Sequence, residues 1–326
     1  MFTAPYKMAI TNYELRTTNL KLRLRFFVVL CLFCVFARNS FAQTNVLTQN
    51  QIDWLATSNF LSRTIADGTT EQKRDALLHI RNLETTEAAR IAVPALKDSS
   101  EIVRATATAS VVFLPSDEAA QNLIPLLTDK NPLVRREAAY ALGVVGNPNS
   151  INRLLGVLQK DKVAEVRNAA IIALGEIGDV AAVSELVKIL QRKPQAKEEF
   201  ARRSAARSIG QIAQIIQTGE RQIITPENFL PERFKRIEQP KYPRLSEAFP
   251  QFRPATSTLV STLSNQQESQ DVKREAAFAL GTIGDESATP ALRQNANDAD
   301  YYLAEISRES LRKIAVAVNT QKISTK

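Results

Sequence analysis

The residues best placed to do chemistry are six cations set at near-regular steps: Lys73, Arg104, Arg135, Arg167, Arg202 and Lys273, separated by 31, 31, 32, 35 and 71 residues. Two chemistries fit such a series. A row of guanidinium and ammonium groups can bind an anionic ligand. Alternatively each cation pairs with a carboxylate, because a charge taken out of water needs a partner. Suitable carboxylates are present. Asp67, Asp98, Asp129 and Asp161 each stand six residues before a cation, and Asp298 stands six before Ala304, the next position in register. Arg202 and Lys273 have Ala196 and Gln267 where the Asp is expected. They flank the longest step and are the candidates for ligand contact.

Other chemistry is thinly supplied. The chain has one His (His79) and two Cys (Cys31, Cys34), so a zinc site built from several His and Cys is excluded by count. A Ser-His-Asp triad would have to use His79, and no nucleophile elbow surrounds it. Neither GxGxxG nor the P-loop pattern occurs. No cofactor and no catalytic residue are expected. The strings GVVG, GEIG and GTIG resemble the GXXG loop of a KH module, but no KH-like strand pattern flanks them.

The elements that must position the cations are helical repeats. Asp129–Gly146 and Asp161–Gly178 (DKNPLVRREAAYALGVVG and DKVAEVRNAAIIALGEIG) align at an offset of 32 residues. Self-similarity at such a period marks a solenoid. With each cation as position zero, seven segments align, the last at Ala304. Small or apolar residues recur three, four and seven positions on, as in Ala138, Ala139 and Leu142. That is one helical stripe. Each such helix follows another, for example Ile151–Leu158 before Asp161. The unit is therefore helix A, a turn that carries the Asp, then helix B. Asp in the turn caps a helix start. Gly146, Gly178 and Gly284 end the second helices in the left-handed conformation. Gly143, Gly175, Gly210 and Gly281 let neighbouring helices approach. His79 falls six after zero, where other units place Ala or Ser, and is expected in the core. Trp54, Leu55, Phe60 and Leu61 are expected to cap the first repeat, and Tyr301, Tyr302 and Leu303 belong to the last.

These segments resemble the HEAT repeat, in the short form of phycobilisome lyase-type proteins, over about Ile52 to Ala315. The resemblance implies an all-α fold: a right-handed α-solenoid of about seven HEAT-like hairpins with one long insertion between repeats. It implies that helix B lines the concave face. It also implies a ladder between adjacent repeats, made here by Asp67, Asp98, Arg104, Asp129, Arg135, Asp161 and Arg167. The match is strong in repeats three and four and weaker in repeat two, where Val112 and Pro115 replace the two Gly. Repeats five, six and seven lack an Asp or the Arg, so the ladder is expected to break there. HEAT-repeat deoxyhypusine hydroxylases hold iron with His-Glu pairs, and this chain has none.

The 71-residue step inserts residues 217–254 between repeats one to five (43–216) and repeats six and seven (255–316), with a tail at 317–326. Six of the 14 Pro lie in the insertion. So do Phe229, Phe234, Tyr242, Phe249 and Phe252, with Arg233, Lys235 and Arg236 among them. Disordered segments are poor in aromatics. The insertion is either structural cover on the solenoid or part of a binding surface. Its PxxP, Pro240 to Pro243, more often stiffens a loop.

Residues 1–42 read as a signal peptide. Lys21, Arg23 and Arg25 precede the apolar run Phe26–Phe36, shorter than the ~20 residues that span a bilayer. Both Cys lie inside that run. The leader holds six of the 42 basic residues and one of the 34 acidic ones, which leaves 36 against 33, or +3. A nucleic-acid partner needs a concentrated basic face and is not expected. The expected protein is an exported scaffold, periplasmic or extracellular, for a protein or peptide partner, with no stable membrane insertion once the leader is cut. N-terminal sequencing of the protein from the cell envelope or medium should start at Gln43. An intact leader on cytosolic protein would remove the export reading.

Overall fold

The computed structural model describes residues 48–219, 240–242 and 245–324, with side chains up to residue 319. Every regular element among them is a helix. Residues 58–326 form one compact unit. Residues 1–57 form another, of which only residues 48–57, the start of the opening helix, are described.

The helices run in pairs. The first is α1 (Gln49–Asp67) with α2 (Thr70–Leu83). Then come α3 (Thr86–Ala92) with α4 (Glu101–Ser110), α5 (Ser116–Leu123) with α6 (Pro132–Val145), and α7 (Ile151–Lys160) with α8 (Ala164–Ile177). The fifth is α9 (Val183–Leu190) with α10 (Glu199–Thr218). The short α11 (Leu245–Ala248) leads into α12 (Phe252–Ser264) with α13 (Gln270–Ile283), and α14 (Thr289–Asn295) with α15 (Tyr301–Ser324) is last. Pro94 and Pro125 open 3-10 turns that finish the first helices of repeats two and three. Proline has no N–H to extend an α-helical ladder there.

Inside the 58–326 unit each second helix packs on the second helix of its neighbours, and α10 meets α13 directly. The stack is thus continuous across the insertion. The positions three, four and seven after zero supply its core; Ala138, Ala139, Leu142, Ala170 and Leu174 are all fully buried. The position six after zero faces the preceding repeat. Ser110, Ser208 and Ser310 donate from their hydroxyls to the carbonyls of Leu77, Ile171 and Ala277 at 2.9, 3.0 and 2.7 Å. Two positions further on, glycine is required by the close approach. A Cβ on Gly175 would lie 2.7 Å from the Cβ of Ser208, and one on Gly210 would lie 2.6 Å from the Phe278 ring.

His79 occupies the sixth position of repeat one but is exposed, not buried. That position points toward a preceding second helix, and the described residues contain none before α2. Of the four residues expected to cap the first repeat only Leu61 is buried; Trp54 is half-buried, and Leu55 and Phe60 are exposed. At the other end Leu303 is buried, whereas Tyr301 and Tyr302 are exposed and meet edge to face at 5.7 Å.

The described ends of the insertion pack back on the stack. The Gln217 side chain donates to Tyr242 O at 3.0 Å and accepts from Tyr242 N at 2.8 Å. Tyr242 and Phe249, both half-buried, stack edge to face at 5.4 Å. Leu245 is buried, and Ser246 Oγ donates to Asp285 Oδ2 at 2.8 Å. Phe252 is not a surface residue: it is fully buried at the start of α12. The solenoid therefore takes up both edges of the segment assigned to the insertion.

Gly146, Gly178 and Gly284 end α6, α8 and α13 with φ of 65°, 80° and 76°. The following Asn147, Asp179 and Asp285 then cap the next helix. Repeat one places Glu84 at the same point, with φ 51°. A side chain in this conformation costs about 1 kcal/mol. Glu84→Gly should therefore raise Tm by about 2 °C. An unchanged or lower midpoint would show that the cap is not strained.

Candidate binding site

The cation series is a ladder over most of its length. Arg104 donates from Nε and Nη2 to the two oxygens of Asp129, both at 2.9 Å. Arg135 grips Asp161 in the same way at 2.7 and 3.1 Å. Lys73 makes a single bond to Asp98 at 2.8 Å. The remaining edge of each Arg turns back on its own repeat. Nη1 of Arg104 donates to Asp98 O at 2.8 Å and Ser99 O at 3.0 Å, and Nη1 of Arg135 donates to Asp129 O at 2.9 Å. Each Asp in turn accepts the amide two residues on, from Ser100, Asn131 and Val163. One guanidinium thus fixes its own turn and the next one.

Burial works against the charged form of Asp98, Asp129 and Asp161. The hydrogen bonds from Lys73, Arg104 and Arg135, the turn amides and the nearby positive charge outweigh it, and all three carboxyls titrate below their ordinary value. Asp67 is exposed and meets no cation among the described residues.

The ladder does not break at repeat six, contrary to expectation. Arg202 is 2% exposed and bonds Glu268 through Nε at 3.1 and 3.2 Å and again through Nη2. Its Nη1 donates to the carbonyls of Ile189, Leu190 and Arg192. The acid lies one residue after Gln267 and is one methylene longer. The rung to repeat seven shifts too, by one residue in the cation and by two in the acid: Arg274 donates to Asp300 from Nε at 3.0 Å and also from Nη2. Lys273, at the expected position, is 9% exposed and makes no ion pair among the described residues. Arg202 and Lys273, the expected ligand contacts, are both buried, and the Arg202 guanidinium is already engaged by Glu268 and three carbonyls. Only Arg167 lacks its rung: it donates to Asp161 O and Lys162 O and meets no carboxylate among the described residues. Phe229, Arg233, Phe234, Lys235 and Arg236 lie outside the described residues.

The surface suited to a partner lies elsewhere. A cleft of about 400 Å³ opens where α8, α10 and α13 meet. Arg203, Arg207 and Arg274 line it against Glu176, Asp271 and Glu275. Arg203 pairs with Asp271 at 3.4 Å and Arg207 with Glu275 at 3.2 Å. The guanidinium carbon of Arg203 sits 5.3 Å from the ring centre of Phe200, which is 43% exposed. The Arg203–Asp271 pair is exposed and the Arg207–Glu275 pair is open to water on its arginine side; pairs open to water contribute little to stability, so a ligand can exchange with the first at small cost. Burial raises the Glu275 carboxyl above its ordinary value, and Arg207 and Arg203 offset this only in part. None of these residues was among the sequence candidates. Their signal is helical position: one and five after zero face away from the core and hold Arg203 and Arg207, as they hold Arg136 and Tyr140 in repeat three. Among the described residues no group of three His, Cys, Asp or Glu is placed to hold a metal ion, and no helix is long and apolar enough to cross a membrane.

Stacked helical hairpins tied by Arg–carboxylate rungs define an α-solenoid. Residues 58–143, 88–175 and 121–210 match the family model for HEAT repeats, and residues 272–298 match the PBS lyase HEAT-like repeat. The chain is a HEAT-repeat protein. Among solved structures it is similar to an engineered protein (18% identity, 79% of this chain and 68% of that one, TM-score 0.49). It is similar too to the complex of CpcE and CpcF of phycocyanin lyase from Nostoc sp. PCC7120 (17%, 81% and 93%, TM-score 0.44). A third similar structure is human deoxyhypusine hydroxylase (19%, 81% and 99%, TM-score 0.35). No curated protein matches.

The rungs set the response to acid. Carboxyls held below their unfolded value, about 3.9 for Asp, stabilise the fold above that value and lose this contribution as pH falls through the lower folded one. Asp98, Asp129, Asp161 and Asp300 all shift in this direction. The denaturation midpoint should fall steeply below about pH 4, and Asp161→Asn should make the fall shallower. A midpoint flat from pH 7 to pH 2.5 would show that the rungs do not stabilise the native state.

Proposed function

We propose that this protein is a non-catalytic binding scaffold that holds a protein or peptide segment on its second-helix face, centred on the cleft at repeats four to six. The observation that carries the reading is the set of ion pairs around exposed Phe200. Arginine and aromatic side chains dominate the energy of protein interfaces. The signal-like leader adds export to the proposal, and the aromatic and basic composition of the insertion adds it to the partner surface.

A second reading, a bilin lyase-like activity or accessory role, rests on the match of residues 272–298 to the PBS lyase HEAT-like repeat. Bilin absorbance unchanged on mixing would remove it.

The first reading is tested with a photo-cross-linking residue placed in cells at Phe200 or, as control, at exposed Arg153 on α7. Adducts with a discrete polypeptide are expected from Phe200 and not from Arg153. Arg203→Ala with Arg207→Ala should weaken capture by about tenfold. Equal labelling from both sites would sink the proposal.

A further inference from the structure

Arg167 is set as a rung but meets no carboxylate among the described residues. Its Nη1 donates to Asp161 O at 2.9 Å and Lys162 O at 3.1 Å, the pose that Arg104 and Arg135 hold toward their own turns. In those two residues the free Nε and Nη2 edge takes both oxygens of a carboxylate from the next repeat. The turn after α9 is built differently. The step from Arg167 to Arg202 is 35 residues instead of 31 or 32, and Ala196 stands where repeats one to four and seven carry Asp.

A cleft of about 320 Å³ lies at this place, and Arg167, Lys188, Arg192 and Lys197 are on its walls. Its acids are already engaged. Asp161 holds Arg135, Glu185 holds Lys188 at 2.6 Å, and Glu198 lies 3.8 Å from Arg192. Arg167 and Lys197 make no ion pair among the described residues. Two positive charges therefore face one half-open space. The arginine fork is fixed by its own turn before any ligand arrives, which lowers the ordering cost of binding.

We propose that this cleft is a carboxylate-binding site, in which the Nε and Nη2 edge of Arg167 holds both oxygens of the ligand and Lys197 supplies the second charge. A carboxylate is favoured over other anions because repeats two and three satisfy the same fork with one. The fork matches that geometry bidentately. The site lies at the turn edge between repeats four and five and shares no lining residue with the cleft around Phe200. It stands or falls independently of the scaffold reading.

The test follows arginine Nε–H resonances of the whole chain by NMR. Acetate is titrated at constant ionic strength against chloride. Capped Gly-Gly-Glu-Gly-Gly is then compared with its Gln counterpart. One resonance should shift saturably with acetate and be missing from Arg167→Met. That variant removes no ion pair but loses the two hydrogen bonds to Asp161 O and Lys162 O, so its Tm and its remaining Nε–H resonances are compared with wild type to show that it is folded. Arg167→Lys keeps the charge without the fork and, read from the Nε–H of Arg192 on the same cleft, should bind about tenfold more weakly. Lys197→Ala should also weaken binding. A response to acetate alone supports the site with a small free acid as ligand; a response to the Glu peptide as well supports a partner polypeptide. Equal responses to acetate and chloride, to the Glu and Gln peptides, or in Arg167→Lys and wild type would overturn the proposal.

Discussion

A guanidinium placed between two helical hairpins brings five N–H donors and a full charge that water no longer satisfies. In this protein two edges of that group are assigned. Nη1 holds the carbonyls of its own turn, and the Nε and Nη2 edge holds a carboxylate from the next turn. Removing either partner of such a buried pair leaves an uncompensated charge, a loss of about 3–5 kcal/mol. The rung therefore fixes the register of one repeat on the next. The small residues that let second helices touch, and the glycines at the closest approach, fit the same register; at the junction of repeats four and five, where the rung is missing, Gly175 still meets Ser208 closely.

The constraint also explains the later repeats. Arg202 bonds Glu268 across an insertion that separates them by 66 residues in sequence. The insertion interrupts the chain but not the stack, since α10 and α13 still pack directly. A solenoid tolerates such an interruption because each repeat answers only to its neighbours. Tyr242, Phe249 and Leu245 then serve the stack, and Gln217 ties the returning chain to the end of α10.

Binding capacity appears where the ladder and the core leave side chains over. On the second-helix face of repeat five the positions one and five after zero hold Arg203 and Arg207, which pair across a cleft. At the turn edge Arg167 keeps the pose of a rung without its acid. Both places present arginine with its geometry already set, one beside an aromatic ring and the other beside a second cation. The scaffold reading draws on the first, and the carboxylate site on the second.

The repeat period, the helix-turn-helix unit, the Gly caps and the early rungs were legible in the sequence because they are local or strictly periodic. A period of 31 or 32 residues, a stripe at three, four and seven, and a Gly in the left-handed region each follow from short-range sterics. The late rungs were not legible, because Glu268 and Arg274 sit one residue off register and only three-dimensional proximity selects them. The burial of Arg202, Lys273 and Phe252 and the exposure of His79 were likewise set by which neighbour lies above or below each repeat. The cleft around Phe200 needed three helices brought together from across the insertion. Sequence by itself determined what each repeat is; the tertiary stack decided which charges are spent on holding it together and which remain for a ligand, because a side chain's partner is fixed by distance in space and not by its place in the repeat.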